Sequence, residues 1–79
     1  GIDLGYGLTC GTGEEATITK KMMTSSQTSI VLSDSSKIGQ RGFARICEVG
    51  DIDILITDSG ISDEMKKRIE HLGVKLIIV

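Results

Sequence analysis

Ile30-Val31-Leu32-Ser33-Asp34-Ser35-Ser36-Lys37-Ile38-Gly39 sets three apolar residues directly before a run of hydroxyls, an aspartate, a lysine and a glycine. A short unbroken apolar run bounded by turn residues reads as a fully buried strand. The pattern returns twice downstream. Ile52 to Thr57 is the second run and closes on Asp58-Ser59-Gly60; Val74 to Val79 is the third. From Gly42 to Val49, Phe43, Arg45, Cys47 and Val49 alternate with Ala44, Ile46 and Glu48, which fits a short extended piece.

Helices separate these runs. Thr12-Gly13-Glu14-Glu15 is a capping-box pattern: Thr12 caps and Glu15 reaches back. It predicts a helix from about Gly13 to Ser26 with a thin apolar stripe of Ala16, Ile18, Met22 and Met23. Ser62 caps a second helix, Asp63 to Leu72, with acidic residues at its start and Ile61, Met65, Ile69 and Leu72 at helical spacing. Gly73 then supplies a left-handed stop. Strands alternating with helices predict an α/β fold with a mostly parallel sheet and helices packed on it. Three strands buried on both faces need more cover than two helices give, which points to a portion of a larger domain or to an oligomer. Gly1 to Gly13, with five glycines and little apolar content, reads as a loop that packs on the rest. An opening of Gly1-Ile2-Asp3 without Met reads as a chain cut from a larger protein.

Composition removes several functions. The net charge is −2, with one Tyr, one Phe and no Trp. Duplex nucleic acid calls for positive surface, and single strands call for aromatic platforms as well. The chain alone is therefore expected to bind no nucleic acid. Lys66-Lys67-Arg68 and the single histidine, His71, fall late in the second helix, where they complement its dipole. No apolar run approaches the roughly 18 residues of a membrane span. Cys10 and Cys47 form no disulfide framework and suit a reducing, cytoplasmic setting. No metal-ligand spacing, nucleophile triad or cofactor motif completes itself.

In an open α/β sheet, ligands bind beyond the carboxyl ends of the strands. Leu32-Ser33-Asp34-Ser35 and Ile56-Thr57-Asp58-Ser59 place an aspartate and hydroxyls on that rim twice, and the first adds Ser36, Lys37 and Gly39. A lysine beside hydroxyls and amides suits a phosphate, and an aspartate suits sugar hydroxyls. The competing reading is ordinary turn chemistry, which is favoured for Asp58. Gly11-Thr12-Gly13-Glu14-Glu15-Ala16 also matches a dinucleotide fingerprint, with Asp34 about 20 residues on. No apolar strand is expected before Gly11, and Glu14 and Glu15 would face the pyrophosphate, so a nucleotide site is not expected there.

The Asp34-Ser35-Ser36-Lys37-Ile38-Gly39 segment resembles the C-terminal sensor domain of DeoR-type bacterial repressors. Gly1-Ile2-Asp3, Gly7-Leu8-Thr9, Glu14-Glu15-Ala16 and Asp51-Ile52-Asp53 running to Ile56-Thr57-Asp58 share in it. The resemblance extends over nearly the whole chain, and the Asp-Ser-Ser-Lys and Ile-Thr-Asp pair is its most specific part. It implies that residues 1–79 are the C-terminal half of a three-layer effector-binding domain like those of ribose-5-phosphate isomerase and the CoA transferases. A separate N-terminal winged helix-turn-helix would carry operator binding, and the first half of the sensor would also lie outside the chain. It implies a phosphorylated sugar or related metabolite as effector, no cofactor, and a homo-oligomer. Asp34, Lys37, Ser35 and Ser36 fall on the effector-contacting segment, and Thr9 and Glu15 match positions near the isomerase pocket. The isomerase's acidic loop and glycine-rich lysine loop are not reproduced, since Gly7-Leu8-Thr9 has no lysine. Binding is therefore expected rather than catalysis. A sugar-phosphate isomerase or deaminase fragment, with Glu15 and Lys37 as an acid–base pair, is the alternative.

Overall fold

A computed structural model describes all 79 residues, Gly1–Val79. Six strands, β1 (Ile2–Asp3), β2 (Gly7–Cys10), β3 (Ile30–Leu32), β4 (Ala44–Cys47), β5 (Ile54–Thr57) and β6 (Lys75–Ile78), form two three-stranded sheets. The helices are α1 (Gly13–Ser25) and α2 (Asp63–His71). Single 3-10 turns occupy Ser35–Lys37 and Val49–Asp51.

The parallel sheet runs β3-β5-β6, with Val31, Leu55 and Leu76 in register on one face. The other sheet, β1-β2-β4, is antiparallel throughout. The expectation of a mostly parallel sheet therefore holds for half the strands. The glycine-rich opening is β1 and β2, not a loop. A four-residue strand whose main partner lies more than 30 residues away, Thr9 against Arg45, leaves little local signal in the sequence.

The helix caps form as the sequence indicates. Thr12 Oγ1 accepts the Glu15 amide at 3.1 Å, and Ser62 Oγ accepts the Met65 amide at 3.1 Å. The return bond from Glu15 to Thr12 is not made, so Thr12 acts as a simple cap. Gly73 takes φ of 87° and ends α2.

One core joins both sheets: Ile2, Val49, Ile52, Leu55, Ile61, Ile69 and Val74 are all buried and in one cluster. Helix α1 packs on β2 and β4, and α2 packs on β6. Neither helix covers β3. Ile30 is 58% exposed and Leu32 77%, whereas Val31 packs against the core. The run Ile30–Leu32 is thus an edge strand covered on one face, not a fully buried one. The register places Ile54, Ile56 and Ile77, each half-buried, on the same face. Within this chain the core covers the parallel sheet on the face of Val31, Leu55 and Leu76. On α1 only Ala16 is buried; Ile18 and Met22 of the expected stripe face out.

Candidate effector site

The carboxyl ends of β3, β5 and β6 open on one side of the parallel sheet. A cleft of about 290 Å³ lies there, walled by Leu32, Ser33, Asp34, Thr57, Asp58 and Val79. Its position follows from the topology: parallel strands end together, and the chain leaves each through a polar turn.

The turn after β3 is held at both ends. Asp34 caps the 3-10 turn, accepting the Ser36 amide at 3.0 Å and the Ser36 hydroxyl on the same oxygen, Oδ1. The hydroxyl bond is the main reason that the Asp34 carboxyl sits below its ordinary range; the Ser36 amide and the Lys37 charge add to this, and desolvation opposes it. Asp58, at the end of β5, reaches across to accept the Ser35 amide at 2.9 Å and accepts the Gly60 amide at 2.8 Å. Those contacts, the Ser35 amide first, lower its carboxyl as well. A side chain on Gly60 would bring its Cβ within 2.5 Å of Ser35 Oγ, so the two turns touch where only glycine fits without movement. At the far end, Gly39 donates its amide to Ile2 O at 2.6 Å, and Ile38 bridges to Ile2.

Of the residues expected from the sequence, Asp34 lines the cleft, and Ser35, Ser36 and Lys37 form the adjoining turn. Lys37 is exposed and makes no salt bridge; the ion pairs of the chain are Arg41–Asp3, Arg45–Glu48 and Lys66–Asp63. Thr9 and Glu15 are not brought to the cleft. Thr9 is 4% exposed on β2, where its hydroxyl accepts the Gly42 amide at 2.6 Å and donates to Gly1 O at 3.2 Å. Glu15 lies exposed in the first turn of α1 and makes no salt bridge to Lys37.

The sequence placed Thr57 and Asp58 on this rim and favoured turn chemistry for Asp58. Asp58 fixes Ser35 in place as well as shaping its own turn. Thr57, on the central strand, is 1% exposed, and its Oγ1 finds no hydrogen-bond partner in the chain. The signal was present in the echo of Leu32-Ser33-Asp34 by Ile56-Thr57-Asp58.

Larger clefts lie elsewhere, one of about 970 Å³ beside Thr12, Gly13, Glu14, Thr17 and Ile18 and one of about 510 Å³ among residues that include Lys20, Cys47, Asp51 and Asp53. A cleft of about 400 Å³ lined by Leu4, Lys67, Arg68, His71 and Leu72 lies along the end of α2, where the basic residues complement the dipole. No group of three or more His, Cys, Asp or Glu residues comes together to hold a metal ion. No helix is long and apolar enough to cross a membrane. The dinucleotide fingerprint does follow a strand, β2, contrary to expectation. That strand is antiparallel to its neighbours, and α1 leads into the other sheet, so no βαβ unit forms around it.

The family profile described as the DeoR C terminal sensor domain matches residues 1–59. The chain is 35% identical over 79 residues to an uncharacterized HTH-type transcriptional regulator, YulB, of Bacillus subtilis, covering 100% of this chain and 31% of that protein. It is 29% identical over 76 residues to the HTH-type transcriptional regulator GlpR of Haloferax volcanii, covering 96% of this chain and 30% of that one. It is 31% identical over 78 residues to a putative aga operon transcriptional repressor of Escherichia coli O157:H7, covering 99% and 29%. The chain thus spans less than a third of the length of these relatives. No solved structure matches it.

Proposed function

This chain belongs to the DeoR family of transcriptional regulators through its C-terminal sensor domain, and from that premise we propose that it senses a phosphorylated sugar or related metabolite. The domain is regulatory rather than catalytic, and the relatives are named as regulators or repressors throughout. The enzyme alternative loses its acid–base pair, since Glu15 and Lys37 make no salt bridge.

One observation carries the choice of ligand. Lys37 stands on a turn clamped by Asp34 and Asp58 at the carboxyl ends of parallel strands, with no carboxylate in salt-bridge contact. A free ammonium on a fixed turn, beside carboxylates that accept from hydroxyls, matches an anionic group joined to a polyol. In this reading Ser35 and Ser36 position the turn. Thr9 braces the antiparallel sheet through its bonds with Gly42 and Gly1. Operator binding belongs to an N-terminal helix-turn-helix outside residues 1–79, and effector binding releases the operator. The protein works in the cytoplasm as a homo-oligomer, a state supported by the exposed apolar side chains of Ile30 and Leu32 on the outer face of β3.

The test is operator release by the intact repressor, read by fluorescence anisotropy of labelled operator DNA against a sugar-phosphate panel. Lys37→Ala is expected to fold normally, because the side chain is exposed, and to lose release by the inducing sugar phosphate. Normal release by that variant refutes the site.

A further inference from the structure

We infer that the regulator joins a second copy of itself through the surface at the start of β4, with Phe43 as the anchor and Tyr6, Arg41 and Arg45 beside it. This deepens the homo-oligomer proposed above and rests on it, naming the surface through which two copies meet.

The chain has one phenylalanine, and at 83% it is more exposed than any other large apolar residue. The local backbone accounts for the direction it takes. Arg41, Phe43 and Arg45 are exposed, Gly42 and Ala44 are half-buried, and Ile46 is buried. Alternate side chains of an extended segment point to opposite sides, so these three share the side turned away from Ile46. A phenylalanine gains by leaving water, and residues 1–79 do not cover this one.

Its neighbours are already held. The Arg41 guanidinium lies 4.1 Å from the centre of the Tyr6 ring and that of Arg45 5.7 Å, the range of cation–π attraction. Arg41 also pairs with Asp3 at 3.7 Å, and Arg45 with Glu48 at 3.5 Å. Two long side chains are thereby ordered in advance, which lowers the entropy cost of association. Phenylalanine, tyrosine and arginine are also the types enriched at the centres of protein interfaces.

The charges select the occupant. Two arginines stand with two carboxylates, Asp3 and Glu48, so the surface is neutral with both signs present. A strongly acidic or basic partner would meet repulsion as often as attraction. A second copy brings the same two signs at the same spacing. On a two-fold axis at Phe43 the two segments run in opposite directions, and Arg45 of one copy comes opposite the Arg41–Asp3 pair of the other. Asp3 then gains the second copy's Arg45, and Glu48 its Arg41, around two phenylalanines that leave water together. Ile30 and Leu32 on β3 offer apolar area, but none of the chain's ion pairs involves that strand to fix a register there.

The experiment is sedimentation equilibrium of the intact regulator, comparing the parent with Phe43→Ala. The expected result is a parent that self-associates and a variant whose dissociation constant rises about thirtyfold, the effect of removing an interface anchor. A photoreactive benzoyl-phenylalanine placed at position 43 gives a second reading that does not depend on truncating the side chain. Cross-links that join two chains are expected. Cross-links confined to one chain mean that the regulator's own polypeptide covers Phe43, and they overturn the inference. A self-associating parent with a parent-like dissociation constant in Phe43→Ala overturns this surface and leaves the homo-oligomer standing. A parent that stays monomeric overturns both.

Discussion

Leu55→Ala and Leu32→Ala remove the same atoms from neighbouring parallel strands, and the fold predicts opposite consequences. Leu55 is fully buried at the centre of the core, between Val31 and Leu76 in the register. Leu32, in register with Ile56, is 77% exposed on the bare face. Truncating a buried leucine costs about 3–5 kcal/mol from lost burial and the cavity left behind. A 79-residue domain has a total stability of roughly 4–12 kcal/mol at ordinary values per residue, so Leu55→Ala removes a large share of it. At about 4–8 °C per kcal/mol for this size, the melting temperature falls by at least about 12 °C. Leu32→Ala stays within about 0.5 kcal/mol of the parent, as exposed substitutions do. The assay is urea and thermal unfolding of the 79-residue chain followed by circular dichroism. A loss above about 2 kcal/mol for Leu32→Ala, or below about 1 kcal/mol for Leu55→Ala, refutes the assignment of the covered face.

Two further outcomes follow from local geometry. Asp34 and Asp58 are both held below the ordinary aspartate range. A depressed carboxyl contributes its stabilisation above the unfolded value and loses it as pH falls through the folded one. Amide exchange at Ser35, Ser36 and Gly60 is therefore expected to stay protected from pH 7 to about 5 and to collapse only below about 4, with NMR midpoints for both carboxyls under 3.8. Gly73→Ala forces a side chain into φ of 87° with no atom nearby to clash, so strain alone is expected to cost about 1–2 kcal/mol in the urea melt, and an unchanged midpoint refutes it.

What the sequence disclosed depended on the range of the interaction involved. Thr12, Ser62 and Gly73 act within a few residues, and their caps and stop were legible as written. The three apolar runs were legible as strands, and β4 as an extended piece. How many faces of a strand are covered was not legible, because Ile30-Val31-Leu32 reads the same under one layer or two. The antiparallel sheet was hidden for a related reason: Thr9 and Arg45 meet only through tertiary folding. At the site, Asp34 stood out by following a strand and preceding hydroxyls and a lysine. The second role of Asp58 rests on a bond to Ser35 spanning 23 residues, which no local pattern reveals.

The turn that carries Lys37 is fastened to two bodies. Through Asp58 it is tied to the parallel sheet at Ser35, and through Gly39 and Ile38 it is tied to β1 of the antiparallel sheet. Only a few residues separate the two anchorages, too few to absorb slack. A force applied at Lys37 is therefore shared between the sheets. Drawing the turn toward β5 loads the bond to Ile2, and β1, with the sheet and helix behind it, must follow or let go. Ile38 and Gly39 thus make the Lys37 turn a fastening between the two sheets, added to the core that already joins them.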